Sequence, residues 1–201
     1  TTLINGIVRD GQGRKVSKSL GNGTDPIEII DEYGADALRF MLISGTSDGS
    51  DTRFLIEKVE AARNFANKLW NASRFLISSL EEETYEIDQS RLDLADKWIL
   101  SKLAATIDDV DRGLERYELG QAGDRLVEFV WSDYCDWFIE LSKEALYSDD
   151  EARKRNKQAV LLFVLEEILK LLHPFMPFIT EEIWLHLPLR KTHLIRAQWP
   201  G

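Results

Sequence analysis

The chain has 201 residues, a formal net charge of −10 from 25 basic and 35 acidic side chains, and a single cysteine. Its composition, 44% apolar and 30% charged, excludes a disordered or low-complexity chain, and its length can bury a substantial core. One cysteine, Cys135, excludes an internal disulfide framework and suits a reducing compartment such as the cytoplasm. The acidic balance argues against general nucleic-acid binding, and no apolar run is long enough for a transmembrane helix.

The beginning of the chain predicts short extended pieces and a loop. Residues 1–8 are typical of a β-strand, which needs neighbouring strands to be stable, so we expect the chain to be part of a longer protein. A turn is predicted at residues 10–13. Residues 14–23 are rich in glycine, serine and lysine without a helical period, which predicts a loop.

Beyond residue 25, apolar side chains recur at helical spacing. Asp25 and Pro26 are typical of an N-cap and a first helical position, and Ser148 and Glu151 have capping-box spacing. Helices are predicted over residues 26–33, 35–44, 53–79, 92–117, 120–147, 148–172 and 178–187, with an extended tail at 194–200. The predicted fold class is therefore mainly α, an antiparallel helix bundle preceded by a short β and loop segment.

One lysine- and serine-rich motif, residues 15–19, is suited to phosphate chemistry. Lys15 and Lys18 lie three residues apart among the hydroxyl groups of Ser17 and Ser19. Ammonium groups on long flexible stems can meet a phosphate that develops charge during a reaction. A solvated loop is the alternative for so short a motif, and its spacing excludes a P-loop.

This motif resembles the Lys-Met-Ser-Lys-Ser signature loop of the class I aminoacyl-tRNA synthetases, with Val16 in place of methionine. We call residues 15–19 the signature loop. Three longer stretches look most like the valine-specific members of the class: residues 21–40, 63–75 and 173–184. The resemblance covers essentially the whole chain.

The resemblance implies a ligase that activates valine with ATP and transfers it to the valine-specific tRNA. Lys18 and then Lys15 are the expected catalytic contacts to ATP, and Ser17 and Ser19 are expected to complete the ATP-binding loop. The second nucleotide signature of the class, of His-x-Gly-His type, is absent from this sequence.

The resemblance also implies a division of the chain. Residues 1–52 are expected to end a catalytic domain, and residues 53–201 to form a helical anticodon-binding domain. The catalytic and editing domains of the same polypeptide are then missing partners, the parent enzyme is expected to be a monomer, and the isolated chain is expected to be inactive.

Six polar residues of the helix predicted over 53–79 recur at spacings that place several of them on one face. They are candidates for tRNA contact: Arg63, Asn64, Asn67, Lys68, Asn71 and Arg74. A solvated helix face is an open alternative for them.

Two further stretches could also contact tRNA. The basic run at 153–157 can instead balance the acids before it, and the aromatic stretch at 131–138 is more typical of a core than of a base-stacking surface.

No metal site is predicted, because Cys135 and the three histidines lack ligand spacing.

Two functions other than that of a valine-specific synthetase remain open. One is an isoleucyl- or leucyl-type member of the same class, and the other is a stand-alone helical interaction module whose lysine- and serine-rich loop contacts a partner protein.

Overall fold

The structure, a computed structural model, describes residues 6–17, 20–45, 50–81, 85–188 and 192–201. Two short strands precede and follow the first two helices: β1 Val8–Arg9 and β2 Thr52–Arg53. The α-helices are α1 Pro26–Tyr33, α2 Ala35–Ile43, α3 Ile56–Ser79, α4 Leu94–Glu115, α5 Leu119–Glu128, α6 Ile139–Leu146, α7 Glu151–Leu172 and α8 Pro177–Leu185. A π-helical segment, Phe129–Phe138, joins α5 to α6, and short 3-10 turns span Gln89–Arg91 and Leu194–Arg196. The prediction of a mainly α bundle is confirmed.

The two strands form a small parallel pair in which Val8 lies opposite Thr52. A pair this short has little stability of its own. The guanidinium group of Arg9 stabilises it through an ion pair of 2.5 Å with the carboxylate of Asp51. The strand predicted over residues 1–8 is only partly testable, since residues 1–5 lie outside the described residues.

The start of α1 follows the prediction closely. The Asp25 carboxylate accepts a hydrogen bond of 2.8 Å from the backbone N–H of Ile27, and Pro26 occupies the first turn. Gly34 ends the helix with φ of 90°, a conformation that favours glycine.

The predicted start of α7 is wrong. The helix is capped by Asp150, whose carboxylate accepts a hydrogen bond of 3.0 Å from the backbone N–H of Arg153. The Ser148 hydroxyl instead accepts from the N–H of Asp150. Ser148 and Glu151 therefore form no capping box, because the aspartate two residues later supplies the cap.

The helix predicted over 120–147 is interrupted by the π-helical segment, whose wider turn shifts the positions that face the core. Tyr134 and Phe138 are fully buried, and the Tyr134 hydroxyl donates to the backbone oxygen of Leu161 at 3.1 Å. Trp137 is turned outward and is 62% exposed. The aromatic stretch thus supplies mostly core, as predicted, but also one exposed ring.

Helix α7 is the most deeply buried element. Most of its residues are inaccessible, including three polar ones near its start: Asn156, Lys157 and Gln158. The Gln158 side-chain amide donates to the backbone oxygen of Ser79 at 2.5 Å. The Asn156 side-chain oxygen accepts from the N–H of Asp88 at 2.7 Å. These polar contacts fix the connection between α3 and α4 to the centre of the bundle.

The segment that follows the signature loop is joined to the far end of the chain through α2. The buried carboxylate of Asp36 accepts hydrogen bonds from the N–H groups of Phe178, at 3.3 Å, and Ile179, at 2.7 Å. It therefore caps the start of α8, where helix N–H groups lack partners within the helix. The Arg39 guanidinium donates to the backbone oxygen of Pro174 at 3.2 Å.

The predicted tail at 194–200 is extended only outside its short 3-10 turn.

Cys135 is buried, and this burial raises the pKa of its thiol to about 12. We expect the thiol to react with an aromatic disulfide reagent at pH 8 at least about 100-fold more slowly in the folded chain than in denaturant, since the thiolate is the reactive form. Absorbance of the released thiolate measures this rate. Equal rates in folded and unfolded protein would show that the residue is accessible.

Candidate nucleic-acid interface

Helix α3 has one apolar side and one polar side. Its apolar side contributes to the core through residues that are at most 5% exposed: Val59, Ala62, Phe65, Leu69 and Leu76. Five of the six tRNA-contact candidates are exposed: Arg63, Asn64, Asn67, Asn71 and Arg74. Arg63, Asn67, Asn71 and Arg74 follow one another at spacings of three and four, which places them in one row along the helix. We call these four residues the α3 polar row.

The sixth candidate, Lys68, is held by contacts within the chain. Its ammonium group lies 2.5 Å from the Asp136 carboxylate and 4.0 Å from the centre of the Trp131 ring. Its side chain is only 24% exposed. This placement favours a role in fixing α3 to the π-helical segment.

A groove of about 600 Å³ lies beside the second half of the α3 polar row. It is lined by residues of α3 and α8 and by the residue that follows α8, among them Trp70, Asn71, Arg74, Phe75, Ile183 and His186. The rings of Trp70 and His186 meet edge to face, with 6.3 Å between their centres. Aromatic faces beside amide and guanidinium groups are the chemistry that binds an unstacked nucleobase.

Sequence reasoning identified only part of this groove. Asn71 and Arg74 belong to the predicted candidates, whereas Trp70 and His186 do not. Trp70 lies within the second stretch of resemblance and directly precedes Asn71, which is the signal that could have identified it. Nothing in the sequence indicates that His186, more than a hundred residues later, meets the same groove.

Residues 15–17 of the signature loop lie within the described part of the chain. Lys15 is exposed and faces Arg9 in an isolated antiparallel bridge, and the backbone N–H of Ser17 donates to the side-chain oxygen of Asn22 at 3.0 Å. The two remaining candidates, Lys18 and Ser19, lie outside the described residues. The roles assigned to all four side chains stay predictions.

The basic run at 153–157 makes ion pairs within the chain. Arg153 lies 3.1 Å from Glu144, and Lys154 lies 2.5 Å from Glu81. Both cations are thereby engaged by acidic partners. The run thus balances acids of α6 and of residue 81, whereas the prediction placed the balancing acids directly before the run.

Two negative findings apply to the part of the chain that the structure describes. It contains no group of three or more His, Cys, Asp and Glu side chains placed to hold a metal ion. Within the same residues, no helix combines the length and the apolar character needed to cross a membrane.

Solved structures define the class of fold. A LeuRS from Agrobacterium radiobacter K84, solved in a ternary complex with tRNA and LeuAMS, superimposes with a TM-score of 0.77 at 24% identity, over 98% of this chain and 23% of that one. A methionyl-tRNA synthetase of Mycobacterium tuberculosis gives 0.74 at 22% identity, over 89% of this chain and 36% of that one. The bundle thus has the fold of a helical part of the tRNA synthetases.

The family models make the assignment specific. The model for the anticodon-binding domain of tRNA ligase matches residues 96–201, and the model for class I tRNA synthetases (I, L, M and V) matches residues 1–55. The chain belongs to the family of anticodon-binding domains of tRNA ligases.

Two similar curated proteins are valine–tRNA ligases. The valine–tRNA ligase of Bacillus subtilis (strain 168) is 53% identical over 201 residues, and that of Geobacillus stearothermophilus is 55% identical over 200 residues. These matches span 99% and 98% of this chain. The chain spans 23% of the length of either relative.

Proposed function

We propose that the chain is the tRNA-binding part of a valine–tRNA ligase, which activates valine with ATP and attaches it to its tRNA. The observation that carries this proposal is the α3 polar row with the groove beside it. The sequence identity of 53% and 55% to two valine–tRNA ligases supports valine rather than isoleucine or leucine as the amino acid. Residues 1–52 then belong to the catalytic part and residues 53–201 to the anticodon-binding part of a monomeric cytoplasmic enzyme.

The α3 polar row supplies the two kinds of contact that an RNA loop requires. Arg63 and Arg74 pair with phosphates, and Asn67 and Asn71 hydrogen-bond to base edges. Tyr33 orients Arg63, whose guanidinium carbon lies 5.8 Å from the centre of the tyrosine ring. A single face of this kind is compatible with the net charge of −10, because that charge describes the whole surface.

The signature loop has the second role in this proposal. Lys15, Ser17, Lys18 and Ser19 contact the phosphates of ATP while valyl-adenylate forms. Positive charge placed where phosphate charge develops lowers the barrier electrostatically. The isolated chain, which lacks the other nucleotide signature, is inactive.

Arg63→Ala and Arg74→Ala are each expected to weaken binding of the valine tRNA about 3- to 10-fold, because each removes a phosphate contact. Each substitution should also reduce the slope of log K against log salt by about 1. Filter binding at several salt concentrations measures both quantities. Arg112→Ala is the control, since Arg112 is an exposed arginine of α4 paired with Asp109.

If both variants bind tRNA as the control does, the α3 polar row is a solvated helix face. Valine-dependent pyrophosphate exchange by the full-length ligase should be unaffected by either substitution, since that step needs no tRNA contact. A parallel loss of exchange would show that the substitutions damage the fold rather than the interface.

A further inference from the structure

Two polar side chains outside the predicted sites hold the base of the signature loop together. The side-chain amide nitrogen of Asn22 donates to the Asp10 carboxylate at 2.9 Å and to the backbone oxygen of Lys15 at 3.2 Å. The side-chain oxygen of Asn22 accepts from the backbone N–H of Ser17 at 3.0 Å. One side chain thus ties the strand before the loop, the start of the loop and its exit.

Asp10 completes this arrangement from the other side. One carboxylate oxygen accepts from the backbone N–H groups of Gln12, at 3.1 Å, and Arg14, at 2.8 Å. The other accepts from the Arg14 guanidinium at 2.8 Å in addition to Asn22. These hydrogen bonds lower the pKa of Asp10 to about 2, and the bond from Asn22 makes the largest contribution. The carboxylate therefore remains ionised at neutral pH.

The backbone on both sides of the two undescribed residues is anchored near this pair. Leu20 N–H donates to the backbone oxygen of Ser17 at 3.3 Å. Gly21 has φ of 62°, which lets the chain reverse toward Asn22. Gly23 lies so close to Val16 that an added Cβ would be 3.2 Å from the valine side chain.

We propose that Asp10 and Asn22 are positioning residues for adenylate formation. They fix the two arms of the signature loop relative to each other, so that its lysines are presented to the ATP phosphates without further reorganisation. This inference rests on the function proposed above for the loop. Asp10 and Asn22 themselves act through the loop and do not contact ATP.

The hydrogen-bonding pattern requires an asparagine at position 22. Both amide hydrogens have acceptors and the oxygen has a donor, so the side chain needs to be a donor and an acceptor at once. Asn22→Asp keeps the size but replaces the donors by a second carboxylate facing Asp10. The variant therefore tests the hydrogen bonds with little change in shape.

In the full-length ligase, Asn22→Asp is expected to lower kcat of valine-dependent pyrophosphate exchange about 10- to 100-fold, the range seen when the supports of a reactive group are lost. The KM for valine should be unchanged. Combining Asn22→Asp with Asp10→Asn restores a hydrogen bond of reversed polarity, and this double variant should be faster than Asn22→Asp alone. Asp88→Asn, in an exposed turn where the aspartate accepts from Ser90, is the matched control.

Two structural readouts keep the test decisive. The backbone amide of Ser17 should exchange with solvent faster in Asn22→Ala, which removes its acceptor, than in the unchanged protein, and thermal unfolding should be the same for both. If exchange at Ser17 accelerates in Asn22→Ala while kcat of that variant stays at the control value, the positioning role is overturned. The role is also overturned if kcat of Asn22→Asp is the same as kcat of the double variant that adds Asp10→Asn. In that case restoring the hydrogen bond has no effect.

A separate variant distinguishes this inference from the function on which it rests. If Lys18→Ala slows pyrophosphate exchange and Asn22→Asp does not, only the positioning role fails. If Lys18→Ala has no effect, the proposed role of the loop fails and the positioning role fails with it.

Discussion

Replacing Lys18 by alanine is expected to slow valyl-adenylate formation about 100- to 1,000-fold, the range for losing one charge-stabilising donor in a transition state. The KM for valine should change little, because the lysine contact strengthens only as charge develops on the phosphates. Steady-state pyrophosphate exchange by the full-length ligase measures both parameters. Lys97→Ala, which removes an exposed lysine of α4, is the control and should match the unchanged enzyme.

The conservative variant Lys18→Arg separates charge from shape. Arginine keeps the positive charge but presents a planar fork in place of a compact ammonium group, so we expect partial recovery of the rate. A variant Lys18→Ala that retains the rate of the unchanged enzyme would remove this residue from the mechanism.

Replacing Lys157 by methionine is expected to destabilise the fold by about 3–5 kcal/mol, the cost of removing one partner of a buried ion pair. Lys157 is 2% exposed, lies 2.9 Å from the Asp93 carboxylate and also binds the buried carboxylate of Asp96. Its ammonium group lies 5.4 Å from the centre of the Phe138 ring. Without the lysine, two neighbouring carboxylates lose their shared cation. Urea unfolding followed by circular dichroism measures the loss.

A double variant tests whether charge is the cause. Lys157→Met with Asp96→Asn removes the buried negative charge as well, and we expect it to recover part of the lost free energy of unfolding. Equal stability of single and double variants would show that packing, not charge, dominates.

The deficit of Lys157→Met should also depend on pH. Burial raises the pKa of Asp96 and Lys157 opposes that rise, so removing the lysine raises this pKa further above the unfolded value. A carboxyl whose pKa is raised by folding favours the folded state below its unfolded pKa, and this contribution is lost as the pH rises through the folded pKa. Lys157→Met should therefore be closer to the unchanged protein at about pH 4 than at about pH 8.

Local signals in the sequence predicted most of the helices. Asp25, Pro26 and Gly34 define both ends of α1 by interactions within a few residues, and the periodicity of α3 places its apolar residues in the core. Such features depend on neighbours in the chain, which the sequence displays directly.

Features set by tertiary contacts could not be predicted in this way. The π-helical segment changes the periodicity, so that Trp137 points outward although its spacing suggested core. Asp36 caps a helix that begins 141 positions later in the chain, and His186 meets Trp70 across the groove. These pairs are separated too widely for a pattern in one sequence to connect them.

The same distinction applies to the signature loop. Its lysines are visible as a motif, because the chemistry lies in consecutive residues. Asp10 and Asn22 read as ordinary turn residues, and only their 2.9 Å contact shows that they hold the loop from both sides.

The central claim, that this chain binds the anticodon arm of a valine tRNA, is tested most directly by nuclease footprinting of the 201-residue chain on that tRNA. We expect protection of the anticodon stem-loop and loss of this protection in the double variant Arg63→Ala with Arg74→Ala. No protection of the anticodon stem-loop, or protection that is the same for the double variant, would contradict the claim.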